Sequence, residues 1–304
     1  MDIKLPFGLQ DGKLVDISSV DSGLGCNCVC PSCGQRLVAK KGDFNQHHFA
    51  HHDRVECEGA VETALHIYAK NILEKHKRIV LPPVYLNNSD RLIFPPTEVA
   101  FDKVVLEKRL NNIIPDIIVF IRGKPLLIEI AVTHFVDKFK ESKILALGYS
   151  AIEINVKSLF NTAYHKVFGY RDFEKLLIEE TNFKRWVNNL KQNLISEQIK
   201  KLVTSKKVIH SGLYKYPTVD NCPIDKRIWK SGHKKGQSYA SLDDDCWNCP
   251  FGEIIRKQKY FNNGMMVIEG KIREVYCCAH RQEEIDDIIT KFKRTKDLQA
   301  TIIT

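Results

Sequence analysis

Two acids in apolar company are the first residues that could do chemistry. Asp116 follows Pro115 at the head of an apolar run, and Glu129 is the single acid inside Leu126 to Val132. A carboxylate in so apolar a run is costly to bury unless something pairs with it, and a bound cation is the usual remedy. The two runs flank Arg122-Gly123-Lys124-Pro125, a turn-like stretch, so Ile113 to Thr133 reads as a β-hairpin. With the turn centred between Gly123 and Lys124, Asp116 falls opposite Ala131, and Glu129 lies diagonal to Asp116 on the same face. Such neighbours have Cα atoms roughly 7–8 Å apart, so one divalent ion could bridge both carboxylates. A slip of one residue would put them on opposite faces.

Cysteine and histidine form two further sets. The first is Cys26, Cys28, Cys30 and Cys33, followed by His47, His48, His51, His52 and Cys57. Cys30-Pro-Ser-Cys33-Gly34 has the spacing of a zinc knuckle, and His48 and His51 are expected to complete a tetrahedral site. Cys26, Cys28, His52 and Cys57 compete for the same places. The second set is Cys222, Cys246-Trp-Asn-Cys249 and Cys277-Cys278-Ala-His280. Two short ligand pairs far apart in sequence suit a zinc ribbon built on Cys246, Cys249 and Cys277, with Cys222, Cys278 or His280 as the fourth ligand. Four thiolates would also suit an iron–sulfur cluster.

Elements must position these groups. Val61, Leu65, Tyr68 and Ile72 form one apolar stripe of a helix expected from about Cys57 to Arg78. Glu62, His66 and Lys70 fall on an adjoining stripe, from which a helix just before the hairpin could deliver an acid to a metal. Val80 to Leu86 and Val99 to Leu110 read as strands interrupted by proline pairs. His134 to Leu147 reads as a helix with Gly148 as its C-cap, and Ile152 to Val156 as a short strand. Taking Val99 to Leu110 with the two hairpin runs, the order is helix, three strands, helix, strand. Residues 172 to about 207 keep helical spacing through Phe173, Leu176, Leu177, Phe183, Val187, Leu190 and Leu194, and are expected to form one long helix or two. Its second half is basic, and could lie along a phosphate backbone or serve as a protein docking surface.

The expected organisation is a zinc-binding N-terminal module at 1–56, an α/β core at 57–160, a helical linker at 161–212 and a Cys-rich, zinc-ribbon-like module at 213–304. The 304 residues are 43% hydrophobic and 27% charged, ordinary for a globular protein, and the formal charge of +9 favours a polyanionic partner. No apolar run approaches the roughly 18 residues of a membrane span. The first residues break too early with charge and glycine to be a signal peptide, so a cytoplasmic location is expected. There, ten cysteines are better read as metal ligands than as disulfides.

The patterns CxCxCPxCG at Cys26 to Gly34, HHFAH at His47 to His51, ECxxAxExxLHxxAK at Glu56 to Lys70 (with Gly59-Ala60 at the small positions), Pro115-Asp116 and the isolated Glu129 together resemble the competence protein CoiA-like family. The resemblance covers roughly residues 1–157. It implies a restriction-endonuclease-like fold of the PD-(D/E)xK superfamily and a nuclease acting on nucleic acid, most naturally DNA. In such nucleases the hairpin acids hold Mg²⁺ (or Mn²⁺), which activates a water and stabilises the charged transition state. Asp116 and Glu129 match those acids, and Glu62 matches a helix acid that many of them use. The motif wants lysine two residues after the second acid, where this chain has Ala131. Lys140 or Lys143 from the following helix, or Lys70 from the first, could replace it. Otherwise the domain binds DNA without cutting it.

Overall fold

A computed structural model describes residues 4–53, 57–86, 91–163, 173–210, 216–247, 249, 251–254, 259–262, 265–268, 272–293 and 302–303. The fold is mixed α/β and divides into two compact units. Unit 1 comprises residues 1–83, 96–190 and 302–304, and unit 2 comprises 84–95 and 191–301. Among the described residues no helix is long and apolar enough to cross a membrane.

Unit 1 begins with two small hairpins, β1 (Phe7–Gln10) with β2 (Lys13–Asp16), and β3 (Leu37–Lys40) with β4 (His48–His51). Helix α1 (Ala60–His76) follows, then β5 (Arg78–Leu81); β6 (Val84–Tyr85) and β7 (Leu92–Phe94) belong to unit 2, and β8 (Thr97–Ala100) pairs back on β5. The helix starts later and ends earlier than its apolar spacing predicts. It buries Ala64, Leu65, Ala69, Ile72 and Leu73, leaving Val61 half-buried at the stripe's edge. Phe7, Tyr68, Phe160 and Phe173 form a ring cluster around its middle, with centroids 4.2 Å apart for Phe7–Tyr68 and 5.1 Å for Tyr68–Phe173.

The centre of unit 1 is a five-stranded sheet. Its strands are β9 (Lys103–Leu106), β10 (Ile117–Ile121), β11 (Lys124–Ala131), β12 (Ser150–Asn155) and β13 (Lys184–Asn188), in the order β13-β12-β11-β10-β9. The pair β11–β12 is parallel and the others antiparallel. Helix α2 (Lys138–Leu147) is the crossover between the parallel strands; Asp137 caps its first turn and Gly148, in the left-handed region at φ 68°, ends it. Register aligns Ile118, Leu127 and Ala151 across three strands, and Ile144 of α2 packs on them. Ile117, Ile128 and Ile152 align on the opposite face, all buried.

The hairpin turn differs from expectation. Its two central residues are Arg122 and Gly123, both at positive φ (51° and 75°), and Ile121 pairs with Lys124. That is the two-residue turn whose twist matches the strands. Pro125 lies within β11, opposite Phe120. The β12 ladder begins only at Leu126, so the missing proline N–H interrupts no bond. The register moves by two residues, which preserves the faces.

Helix α3 (Val156–Ala163) comes next. Of the one long helix or two expected from 172 to about 207, two helices form, α4 (Phe173–Glu179) and α5 (Leu190–Lys200), but strand β13 lies between them, and the chain passes into unit 2 at Lys191. Lys184, one of the basic residues of that stretch, faces inward. It is buried, and its Nζ donates to the carbonyls of Val80 (3.0 Å) and Ile178 (2.9 Å).

Unit 2 is built from small sheets. Strands β14 (Thr204–Lys207), β15 (Thr218–Asp220), β16 (Arg227–Ile228), β17 (Ser238–Ser241), β18 (Gly252–Ile254), β19 (Lys259–Asn262), β20 (Met265–Ile268) and β21 (Glu274–Cys277) precede helix α6 (Gln282–Lys293). The sheets run β14-β21-β18, β15-β17-β16 and β19-β20. Val208, Val219, Leu242, Ile272 and Val275 make a small buried cluster.

Candidate functional site

The observed register, continued one residue past Ile117–Ile128, sets Asp116 directly across from Glu129 rather than diagonal to it. Glu129 meets Lys140 of α2, whereas Asp116 meets His66 and Lys70 of α1. Glu129 is 2% exposed, and its Oε2 accepts from Lys140 Nζ at 2.6 Å. Its Oε1 is buried with no hydrogen-bond partner among the described residues. Burial pushes the Glu129 carboxyl up to about 7, against the pull of Lys140.

Asp116 has the opposite character. Its Oδ2 accepts the Ile130 amide at 2.9 Å, and its Oδ1 lies 3.6 Å from His66 Nδ1 and 3.3 Å from Lys70 Nζ. Burial raises this carboxyl, but His66, the Ile130 amide and Lys70 together outweigh it and hold the group at about 2. Lys70 also donates to Glu107 Oε1 at 2.8 Å. Two carboxylates facing each other are thus split in proton affinity, an arrangement common at functional sites.

The helical stripe Glu62, His66, Lys70 serves this region rather than solvent, but not as a set of metal acids. Glu62, Asp116 and Glu129 do not converge as a triple within 4.8 Å. Glu62 Oε2 instead accepts the Thr133 hydroxyl at 2.6 Å. Of the two α2 lysines expected to replace the missing motif lysine, Lys140 reaches the site. Lys143 turns away, its Nζ 4.0 Å from the centroid of the Phe139 ring. Ala131, at the motif lysine position, is buried and brings no polar group.

One buried acid escaped the sequence reading. Glu153 of β12 pairs with Glu129 in the parallel register and is equally buried. It is fully engaged: Oε2 accepts from Arg185 Nε at 2.5 Å, and Oε1 accepts the Val136 amide. The repeated Ile-Glu-Ile of both strands was the available signal.

The N-terminal cluster closes on Cys30, Cys33, His51 and Cys57. Their ligand atoms all lie within 4.8 Å of one another, the only such group of three or more among the described residues. The set can hold a metal ion such as zinc. Cys33 Sγ is 3.3 Å from His51 Nε2, and the Ser32 amide donates to Cys30 Sγ at 3.4 Å. Burial pushes the Cys30 thiol up to about 11, although the Cys33 and Ser32 amides pull it down. The Ser32 hydroxyl, through a hydrogen bond, is the main cause holding Cys57 below its ordinary value. Gly34 takes the left-handed conformation (φ 73°) that turns the knuckle. Gly59 lets the start of α1 approach it, since a Cβ there would stand 3.0 Å from Ser32 Oγ.

His48 is not in the set, and Cys57 takes the place expected of it. In β4 alternate residues face opposite ways, so His48 and His51 point apart. His48 Nδ1 faces the Gln46 carbonyl at 2.9 Å. Cys26 and Cys28 are buried apart from the quartet, with Cys28 Sγ donating to the Cys26 carbonyl at 3.2 Å. In unit 2, Cys222, Cys246, Cys249 and Cys277 line one small cavity. Cys278 is tied by its amide to the Phe251 carbonyl at 3.0 Å, and His280 is exposed.

Residues 23–60 match the family model described as the N-terminal domain of competence protein CoiA. The whole Cys30, Cys33, His51, Cys57 quartet lies inside the matched segment, which supports the CoiA-like resemblance there. No curated protein and no solved structure matches the chain.

Proposed function

We propose that this chain is a metal-dependent nuclease that hydrolyses phosphodiester bonds in DNA, with Asp116 and Glu129 holding a divalent ion such as Mg²⁺ and Lys140 as the cation beside the reacting phosphate. The observation that carries this reading is Glu129 Oε1, a buried carboxylate oxygen without a hydrogen-bond partner, on the residue that faces Asp116 across the hairpin. Leaving such an oxygen unpaired costs about 1–3 kcal/mol or more, and a hard cation removes that cost. Two carboxylates are the donor set that Mg²⁺ and Mn²⁺ take. When bound, such an ion lowers the pKa of a water and offsets charge on the phosphate.

The chain's own groups have definite tasks. Asp116, held ionised by His66, Lys70 and the Ile130 amide, supplies a fixed negative charge. Glu129 supplies a second whose charge depends on pH. Lys140 stands where an ammonium can orient the attacking water or offset charge on a phosphate oxygen. It replaces the lysine absent at Ala131. The order of α1, β9, β10, β11, α2 and β12, with β11 and β12 parallel, supports a restriction-endonuclease-like core. The charge of +9 suits a polyanion.

One observation favours a second reading, a nuclease-fold protein that binds DNA as a processing or recombination factor without cutting it. Lys140 on Glu129, and Lys70 with His66 on Asp116, already give both acids partners. Plasmid and single-strand cleavage with Mg²⁺ or Mn²⁺ separates the two. The nuclease reading expects cleavage by the wild type, its loss in Asp116→Ala and Glu129→Ala, and a drop of about 10²-fold in Lys140→Ala. Salt-dependent DNA binding without cleavage would select the second reading. Full activity in Asp116→Ala would reject the site.

A further inference from the structure

Unit 2 brings together four cysteines that the nuclease reading does not use. Cys222 follows β15; Cys246 and Cys249 form a CxxC turn between β17 and β18; Cys277 ends β21. The sheet registers converge them. Cys277 pairs with Thr204 on one side and with Gly252, three residues past Cys249, on the other. The Cys222 carbonyl accepts the Ser238 hydroxyl at 3.0 Å, which ties it to β17, the strand that leads to Cys246. We infer that Cys222, Cys246, Cys249 and Cys277 form a second structural metal site, a four-thiolate centre for zinc, independent of the hairpin acids.

Three observations carry it. First, the four thiols line one cavity of about 30 Å³, room for a single ion, and each of Cys246, Cys249 and Cys277 is within electrostatic reach of Cys222. No three of the sulfurs lie within 4.8 Å of one another, so they close on an ion by rotating about their Cα–Cβ bonds. Second, backbone amides are aimed at the sulfurs two residues back. The Ala279 amide donates to Cys277 Sγ at 3.4 Å, and the Phe251 amide donates to Cys249 Sγ. The same arrangement joins Ser32 to Cys30 in the N-terminal quartet. Amide donors stabilise a thiolate, the form that ligates metal. Third, Gly252 is a close-approach position: a Cβ there would meet the Cys246 carbonyl oxygen at 3.1 Å and Cys249 Cβ at 3.2 Å, so β18 starts tight against the CxxC turn.

Charge and stability agree with zinc. Four thiolates on a divalent ion leave a net charge of −2, and Lys206 and Lys226 line the same cavity, together with Asp245, whose charge is paired with Arg227 at 2.6 Å. Lys206 is anchored there through the Asn221 carbonyl at 2.9 Å, beside Cys222. The small sheets of unit 2 enclose a modest apolar cluster, and domains of that kind commonly need a metal or a crosslink to fold.

The test uses the full chain. Metal analysis of the wild type should find two zinc per chain. Cys246→Ser with Cys249→Ser should lose one, and Cys30→Ser with Cys33→Ser the other. Because a ligand variant can fail to fold, the unmutated chain is also alkylated before and after chelation, with sites mapped by mass spectrometry. Cys222, Cys246, Cys249 and Cys277 should be protected in the loaded chain and become reactive together on chelation. One zinc per chain, a Cys246/Cys249 variant that retains two, or alkylation of these four at equal rates with and without chelator would overturn the proposal. Iron with visible absorption that bleaches on reduction would overturn it as well, in favour of a cluster.

Discussion

If the hairpin acids hold a divalent ion as proposed, Glu129 makes its affinity a function of pH, and the size of the effect follows from the surroundings of that carboxyl. Burial, opposed by Lys140, moves its carboxyl from 4.5 to about 7. At 1.36 kcal/mol per pH unit, keeping that group charged costs about 3 kcal/mol relative to water. Folding favours the neutral form. The stability it contributes is fully present below 4.5 and is lost as pH rises through about 7. A divalent ion binds the charged form, while Asp116, at about 2, stays charged throughout. Below about pH 7 one proton must leave Glu129 for each ion bound. Affinity for Mn²⁺ should therefore rise about tenfold per pH unit, roughly 100-fold between about pH 5 and 7, and level off above. Electron paramagnetic resonance of free Mn²⁺ measures this directly on wild type and Glu129→Gln. The glutamine keeps the shape and removes the proton, so the slope should vanish and affinity at high pH should fall. His66, 3.6 Å from Asp116, is the same in both proteins and cancels in the comparison. A flat wild-type profile would refute a carboxylate role for Glu129 in holding the ion. A slope that survives in Glu129→Gln would assign the proton elsewhere.

Three further outcomes are expected. His51→Ala should cost the N-terminal quartet its metal while His48→Ala leaves zinc content unchanged; equal loss in both would reject the quartet Cys30, Cys33, His51 and Cys57. Arg122→Asn should raise stability by about 0.5–1 kcal/mol in urea unfolding, because Arg122 holds φ 51° and asparagine tolerates that region better. A loss instead would mean the guanidinium has a role that the turn geometry does not account for. Phe173→Ala should destabilise unit 1 by about 3–5 kcal/mol, since it is fully buried and stacks on Tyr68 with centroids 5.1 Å apart. A change below about 1 kcal/mol would show that the ring cluster is not what seats α1.

The sequence disclosed faces better than positions. Period-two alternation put Asp116 and Glu129 on one side whether the register was off by two or not, which is why the acids were legible and their exact pairing was not. Arg-Gly-Lys-Pro offers two turn centres, and only the strand twist selects Arg122-Gly123. The stretch 172–207 misled because Phe183, Val187, Leu190 and Leu194 are spaced four, three and four apart, as on a helix. A strand followed by a helix produces the same spacing, and the Asn188-Asn189 pair was the break. The three further cysteines (Cys26, Cys28, Cys57) and three histidines (His48, His51, His52) competing to complete the N-terminal knuckle could not be ranked from composition. His-Phe-Ala-His had first to be read as a strand, which allows only one of its two histidines to face the knuckle.

If the hairpin acids form a nuclease site as proposed, the same logic shows how a lysine of α2 would stand in for one of β11. The motif position on the strand, two residues after the acid, is on the same face as Glu129, and that face packs against α2. An ammonium reaching the acid from α2 therefore approaches from the same side as one rising from the strand itself. Among the α2 lysines, Lys140 is the one whose ammonium meets Glu129. Lys140 follows Asp137, whose side chain accepts the Lys140 amide at 2.7 Å and fixes the turn that aims its side chain at Glu129. Lys143 lies one turn further along and is engaged by Phe139. If Lys140 is the functional cation, Asp137→Ala should act through it: cleavage falls by several-fold with metal affinity unchanged, and Lys140→Ala adds no independent loss in the double variant. Additive losses would separate the cap from the lysine and leave Lys140 as a structural partner of Glu129.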